Sequence, residues 1–153
     1  MKMIPALCAT LAAGFAATAV RAEPWVDYTP QKGAYEYSLV KVQPNRVDDY
    51  LVALKKTWVP EQESLKRRGM IDGYWVQTRS FGDYGENSGP NVILIQHWTS
   101  LAALEPDRAR DMEMMAEGRK VVPKEQERGL MEERGKYRTI IADELWTSVD
   151  LGK

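Results

Sequence analysis

The chain has 153 residues, 44% of them apolar and 28% charged, a composition typical of a single globular domain. Its 21 basic and 22 acidic residues give a formal net charge of −1, so no overall positive field attracts nucleic acid and none is expected as a partner. One cysteine excludes an internal disulfide, and one histidine excludes a site with several histidine ligands. We predict no metal site, and no sequence motif indicates a cofactor.

Residues 1–22 have the pattern of a secretory signal peptide. Lys2 precedes an alanine-rich stretch, and Val20 and Ala22 occupy the −3 and −1 positions of a cleavage site. The stretch is short and weakly apolar, which favours cleavage over a membrane anchor. We therefore expect one mature domain of residues 23–153, periplasmic or secreted, without a membrane anchor.

The first half of this domain reads as a strand followed by a helix. Residues 34–42 (AYEYSLVKV) are rich in β-branched and aromatic side chains, which favours a strand. Residues 46–68 carry apolar side chains at spacings of three, four and seven, which predicts an amphipathic helix. We expect this helix to begin after an N-cap at Asn45, to kink at Pro60 and to end at Gly69.

The second half is predicted to contain two strands, a helical region and a final strand. Residues 70–81 predict the second strand, and the strongly apolar residues 91–98 predict a central third strand after a loop. A helical region divided by prolines covers residues 101–134, and residues 137–147 form the predicted fourth strand. The order is therefore β-α-β-β-α-β.

That order predicts a ferredoxin-like α+β domain, a four-stranded antiparallel sheet with its helices on one face. Strict alternation then makes the uncovered face aromatic and partly polar, and a homodimer burying two such faces is its simplest cover. The uncovered face is predicted to carry Tyr35, Tyr37, Leu39, Trp75, Gln77, Leu94, Gln96, Trp98, Thr139 and Ile141. The face under the helices is predicted to carry Val40, Val42, Tyr74, Val76, Ile93, Ile95, Ile140 and Ala142.

The element order, with a third strand ending Gln96-His97-Trp98 and then TSLAAL, resembles the dimeric α/β-barrel superfamily. This superfamily includes antibiotic-biosynthesis-type monooxygenases, NIPSNAP-like proteins and haem-degrading monooxygenases. The resemblance covers roughly Tyr35 to Trp146 and implies a homodimer whose sheets form a barrel. The haem degraders resemble this chain at Trp98, but they also have an Asn on the first strand, which is absent here. Arg108 stands where their haem-ligating His would lie, so haem degradation is disfavoured.

The uncovered aromatic face is the predicted ligand site, a cavity between the two sheets. A small apolar or aromatic molecule would lie against its rings, oriented by a few polar groups. The alternative is that the same side chains only fill the core of the dimer. The predicted ligand-binding residues are Tyr35, Tyr37, Trp75, Gln77, Arg79, Gln96 and Trp98.

Two residues are candidates for proton transfer. Histidine changes charge near neutrality, but alternation places His97 opposite Trp98, beneath the helices, where a structural role is the more frequent one. Asp143 is expected to share the cavity face with Arg79, as a base or as an ion-pair partner. Three functions stay open: a binder of small molecules, a cofactor-independent monooxygenase or isomerase acting in the same cavity, and a structural dimer without a pocket.

Overall fold

The computed structural model describes residues 21–81, 88–121 and 124–152. Residues 1–20 of the predicted signal peptide and residues 82–87 of the predicted loop lie outside the described residues. None of the described helices is both long and apolar enough to cross a membrane.

The secondary structure follows the predicted order, with short additions at both ends. A 3-10 turn, Pro44–Arg46, precedes the first helix, and another, Leu101–Leu104, follows the third long strand. The elements are β1 (Thr29–Pro30), β2 (Ala34–Val42), α1 (Val47–Lys56), α2 (Trp58–Arg67), β3 (Ile71–Thr78), β4 (Val92–Trp98), α3 (Arg108–Val121), α4 (Lys124–Gly135), β5 (Arg138–Trp146) and β6 (Val149–Asp150).

The four long strands form one antiparallel sheet in the order β3-β4-β2-β5. This is the arrangement of a ferredoxin-like fold, so the predicted fold class is confirmed. The sheet is open and does not close into a barrel within the chain. β1 and β6, which the sequence did not predict, pair with each other in a separate two-stranded sheet.

The helices pack on one face of the sheet, hereafter the helix face, which carries Val40 and Val92. Tyr50 and Leu54 of α1 are fully buried against these two valines. A second buried cluster joins α2 to the ends of β3 and β4, through Leu65, Ile71 and Trp98. The opposite face, which carries Tyr35, Tyr37 and Trp75, is called the open face.

The predicted single helix is in fact two, and the predicted kink at Pro60 is wrong. α1 ends at Lys56 and α2 begins at Trp58, with Thr57 between them. A proline ring clashes with the carbonyl four residues earlier, here that of Lys56, so the break falls ahead of the proline. Pro60 then lies in the first turn of α2, where its missing N–H costs no hydrogen bond.

Both ends of this helical pair were also predicted. Gly69 ends α2 as expected, with a φ of 69° and its N–H donated to the Lys66 carbonyl. The predicted N-cap at Asn45 is wrong, because Asn45 lies inside the Pro44–Arg46 turn and α1 begins only after Arg46.

The predicted alternation is correct for β2 and β3 but shifted by one residue in β4. Tyr35 pairs with His97 and Glu36 with Gln96, and side chains of directly paired residues share a face. Consequently Leu94, Gln96 and Trp98 lie on the helix face, and Ile93, Ile95 and His97 lie on the open face. The expected opposite placement of these six residues is wrong.

Asn91, the residue before β4, joins this strand to the end of β2. The Asn91 side chain accepts the Val42 N–H at 2.7 Å and donates to the Val42 carbonyl at 2.8 Å. Residues 92–95 (VILI) are apolar on both faces, so hydrophobic alternation carries no information on their phase. The two hydrogen bonds of Asn91 to Val42 therefore favour one phase of β4, which the apolar residues themselves do not specify.

A β-bulge changes the phase of β5. Leu39 pairs with Ala142, but Val40 pairs with Ile140, which leaves Ile141 as the extra residue. Ala142 therefore lies on the open face, contrary to prediction. Asp143 pairs with Ser38 on the helix-face side, and β5 and β3 are opposite edges of the sheet. The prediction that Asp143 shares a face with Arg79 is wrong.

Candidate ligand pocket

A cavity of about 540 Å³ lies between the helix face, α2, the Leu101–Leu104 turn and the start of α3. Its size is within the range of pockets that hold small organic molecules. Two indoles and a group of aliphatic and thioether side chains form most of the apolar wall. These are Trp58, Trp98, Leu65, Leu94, Leu104, Met70 and Met114.

A carboxylate is held on the sheet side of this pocket. Glu36 of β2 accepts a hydrogen bond from Gln96 Nε2 at 2.6 Å and from Trp98 Nε1 at 2.7 Å, and both reach the same oxygen, Oε2. Pairing of Glu36 with Gln96 in the sheet aligns these groups on one face. Within the described part of the chain no donor reaches Oε1, so the carboxylate is oriented but keeps acceptor capacity.

A second acceptor comes from α2. Gln62 lines the pocket and is only 2% exposed, yet its Oε1 has no hydrogen-bond partner in the described part of the chain. Buried polar atoms without a partner are infrequent in folded proteins. Gln62 is therefore a pocket residue that carries a buried acceptor with no donor in the described part of the chain.

The charged groups of the pocket are mostly acidic. Glu36, Glu61 and Asp111 are three carboxylates against the guanidinium of Arg110. That guanidinium is engaged already, because it donates to the Glu105 carbonyl at 2.7 Å and to Asp111 Oδ1 at 3.3 Å. Arg110 and Asp111 therefore balance each other, and Glu36 contributes a negative charge with no basic partner in the described part of the chain.

The indole of Trp58 is positioned by a neighbour on β3. Its ring meets the Tyr74 ring edge-on, with centroids 5.5 Å apart at 90°. The Tyr74 hydroxyl donates to Glu63 at 2.6 Å. This hydrogen bond, assisted by partial burial, raises the pKa of Tyr74 above its ordinary value. The contacts hold one aromatic wall of the pocket in place.

α2 and α3, which form two sides of the pocket, are joined by ion pairs. Arg68 donates to Glu113 at 3.2 Å and to Glu117 at 3.0 Å, and the Ser64 hydroxyl donates to Glu117 at 3.1 Å. The hydrogen bonds from Arg68 and then Ser64 lower the pKa of the Glu117 carboxyl. This bracing limits how far the two helices can separate.

The predicted ligand residues are divided between the two faces of the sheet. Gln96 and Trp98 line the pocket, whereas the others lie away from it. Tyr35 forms a ring cluster on the open face, with centroids 6.1 Å from Tyr37 and 6.3 Å from Trp75. Gln77 shares this face through its pairing with Ile93, and Arg79, just beyond β3, donates to the Ser88 carbonyl.

His97 lies on the open face, so its expected position beneath the helices is wrong. Its Nδ1 is 2.7 Å from Asp72 Oδ1, and its ring centroid is 4.3 Å from that of Tyr35. Neither His97 nor Asp143 lines the pocket. The two candidates for proton transfer are therefore separate from the cavity.

Glu36, Ser38 and Gln62 line the pocket but are not among the residues predicted from the sequence. A signal for two of them was present in β2. The alternation that places Val40 and Val42 under the helices also places Glu36 and Ser38 there. Two polar side chains on a covered face indicate a site, because burial without a function is costly.

Among the described residues, no group of three His, Cys, Asp or Glu side chains could hold a metal ion. No family model matches the chain, and no curated protein matches it. Among solved structures, the chain is similar to a dimeric ferredoxin-like protein from an uncultured marine organism. The TM-score is 0.45 and the identity 12%, over 80% of this chain and 91% of that chain.

Proposed function

We propose that this protein binds a small molecule with an apolar or aromatic body in the pocket between its sheet and its helices. The observation that carries the proposal is the 540 Å³ cavity, whose indole and aliphatic walls surround the carboxylate of Glu36. Polar groups set among apolar and aromatic side chains are a usual means of orienting a small ligand. Gln96 and Trp98 orient Glu36 in this role.

Binding is favoured over catalysis by where the titratable groups lie. The monooxygenase or isomerase alternative requires His97 or Asp143 as a base in a cavity between two sheets, which is a different site from the pocket beneath the helices. Both lie outside the pocket, so neither can reach a ligand held there. The purely structural alternative, a dimer whose inter-sheet core is filled, gives no role to the pocket beneath the helices.

The proposal includes a homodimer formed through the open face. Trp75 and Trp146 are 47% and 59% exposed on this face, and apolar surface of this kind is a common protein interface. In analytical ultracentrifugation, we expect Trp75→Lys to convert a dimer into a monomer. Val52→Lys, at an exposed apolar position of α1, should leave it dimeric. A monomeric unsubstituted protein, or a Trp75→Lys variant that stays dimeric, refutes this part.

Export and family remain proposals that rest on the sequence. Residues 1–22 support secretion to the periplasm or beyond, with cleavage after Ala22. The element order and Trp98 support a relationship to NIPSNAP-like or antibiotic-biosynthesis-monooxygenase-type domains. Such a relationship would not assign an activity, because this scaffold supports many.

Native mass spectrometry of the purified protein tests the binding function. Ala103 lines the pocket beside Trp98, and the adjacent Ala102 is exposed and does not. The protein and Ala102→Phe should carry a non-covalent extra mass that leaves on denaturation, and Ala103→Phe should lose it because the added ring fills the cavity. An extra mass that persists in Ala103→Phe contradicts the proposal, and so does a protein that neither carries an extra mass nor binds any small apolar or aromatic molecule added to it.

A further inference from the structure

We propose that the ligand of this pocket is an organic cation, a protonated amine on an apolar or aromatic body. The inference rests on the proposed binding function and names its ligand class. Three features of the pocket carry it: the sign of its charges, the free acceptors on its wall and the rings beside them.

The charges of the pocket disfavour an anionic ligand. Among the charged groups described in the lining, Asp111 pairs with the guanidinium of Arg110, whereas no salt bridge joins Glu36 to a basic group in the described part of the chain. Arg110 donates to Asp111 and to the Glu105 carbonyl, so a carboxylate already balances its charge. A carboxylate or phosphate ligand would enter a field of its own sign and find few donors.

The acceptors then favour a ligand that donates hydrogen bonds. Both donors to Glu36 converge on Oε2, and no donor in the described part of the chain reaches Oε1. Gln62 Oε1 is buried and likewise without a partner there. An ammonium group has three donors and no acceptor, so it matches the free oxygen of the Glu36 carboxylate better than a hydroxyl does.

The rings complete the match. Trp58 and Trp98 line the same pocket as Glu36, and indole faces attract cations more strongly than other aromatic side chains do. A charge buried among apolar groups is tolerated only when it is paired. Glu36 supplies the counter-charge, and the apolar walls take up the rest of the molecule.

Three indoles of similar size test the inference: tryptamine, tryptophol and indole-3-propionate, which are cationic, neutral and anionic at neutral pH. Their dissociation constants would be measured by ligand-observed NMR and calorimetry with the full protein. We expect tryptamine to bind about tenfold more tightly than tryptophol, the gain of one charge-assisted hydrogen bond. Indole-3-propionate should bind most weakly.

A variant locates the selectivity. Glu36→Gln keeps the shape and the acceptor for Gln96 and Trp98 but removes the charge, so tryptamine should weaken about tenfold while tryptophol changes less than about twofold. Glu132→Gln, on the exposed surface of α4, is the matched control and should change neither. If Glu36→Gln fails to fold, the order of the three indoles on the unsubstituted protein decides the question.

Each outcome separates the inference from the proposed function. Equal binding of the three indoles, or preference for the anion, overturns the cation inference while binding itself stands. If none of them binds, the co-purified molecule in native mass spectrometry decides: an amine supports the inference, and a neutral or anionic compound overturns it. No probe bound and no co-purified molecule means that the proposed function fails, and the inference with it.

Discussion

Replacing Trp98 by phenylalanine removes the indole N–H that holds Glu36 while keeping an aromatic ring in the core. Trp98 is 8% exposed and its N–H reaches the carboxylate at 2.7 Å. A hydrogen bond to a charged group contributes about 1.5–3 kcal/mol, and the smaller ring gives up about 1 kcal/mol of burial. Because Glu36 is only partly buried, water replaces some of the lost bond, and we expect the free energy of unfolding to fall by about 2–3 kcal/mol.

Urea unfolding followed by far-UV circular dichroism measures this loss without using the tryptophan signal itself. Trp25→Phe is the control, since Trp25 is 72% exposed near the chain start and its replacement should cost less than about 0.5 kcal/mol. If Trp98→Phe unfolds within about 0.5 kcal/mol of the unsubstituted protein, the indole does not hold Glu36 and the assigned phase of β4 is refuted.

Three further substitutions test other parts of the structure by the same unfolding assay. Gly33 has a φ of 80°, and a Cβ there would lie 2.1 Å from the carbonyl oxygen that ends β4. We therefore expect Gly33→Ala to lower the free energy of unfolding by about 2–4 kcal/mol. Gly129→Ala is the control, because Gly129 lies in α4 with open space around it, and it should be neutral or stabilising. Equal effects of the two substitutions would contradict the assigned backbone conformation at Gly33. Asn91→Ala removes both hydrogen bonds to β2 and should cost about 1–3 kcal/mol, and an unchanged stability would show that these hydrogen bonds do not matter. Since its folded pKa is lowered by Arg68, Glu117 contributes stability that is present above its ordinary pKa of 4.5 and is lost as the pH falls through the lower folded value. When the pH is lowered below about 4.5, the free energy of unfolding should therefore fall less in Glu117→Gln than in the unsubstituted protein. Parallel curves of unfolding free energy against pH would refute the pairing of Glu117 with Arg68.

The fold class could be predicted from the sequence because the strand and helix patterns agree with one element order. β2 alternates aromatic with polar or aliphatic residues and was predicted with its observed bounds. The helix after it was also predicted, although Pro60 was expected to kink the helix rather than to shift its break to Thr57. A sheet order of the ferredoxin-like type then follows from the element order and the rules of strand connection.

The site was harder to predict because it depends on which way single side chains face. An apolar run such as residues 92–95 has no polar phase marker, so Gln96 and Trp98 were assigned to the wrong side of the sheet. The bulge at Ile141 reverses the face on which Asp143 lies, and the sequence seldom indicates a bulge within a strand. The alternation of β2 predicts that Glu36 lies on the covered face. Its place in a pocket could not be predicted, because that depends on which face of the sheet carries Trp98.

The five tryptophans allow the binding site to be located directly. In an NMR titration that observes only the indole N–H groups, a ligand in the pocket should shift the resonances of Trp58 and Trp98. Those of Trp75 and Trp146, on the open face and its edge, should stay in place, as should that of Trp25. Shifts confined to Trp75 and Trp146 would place binding between sheets and contradict the assignment of the pocket as the functional site.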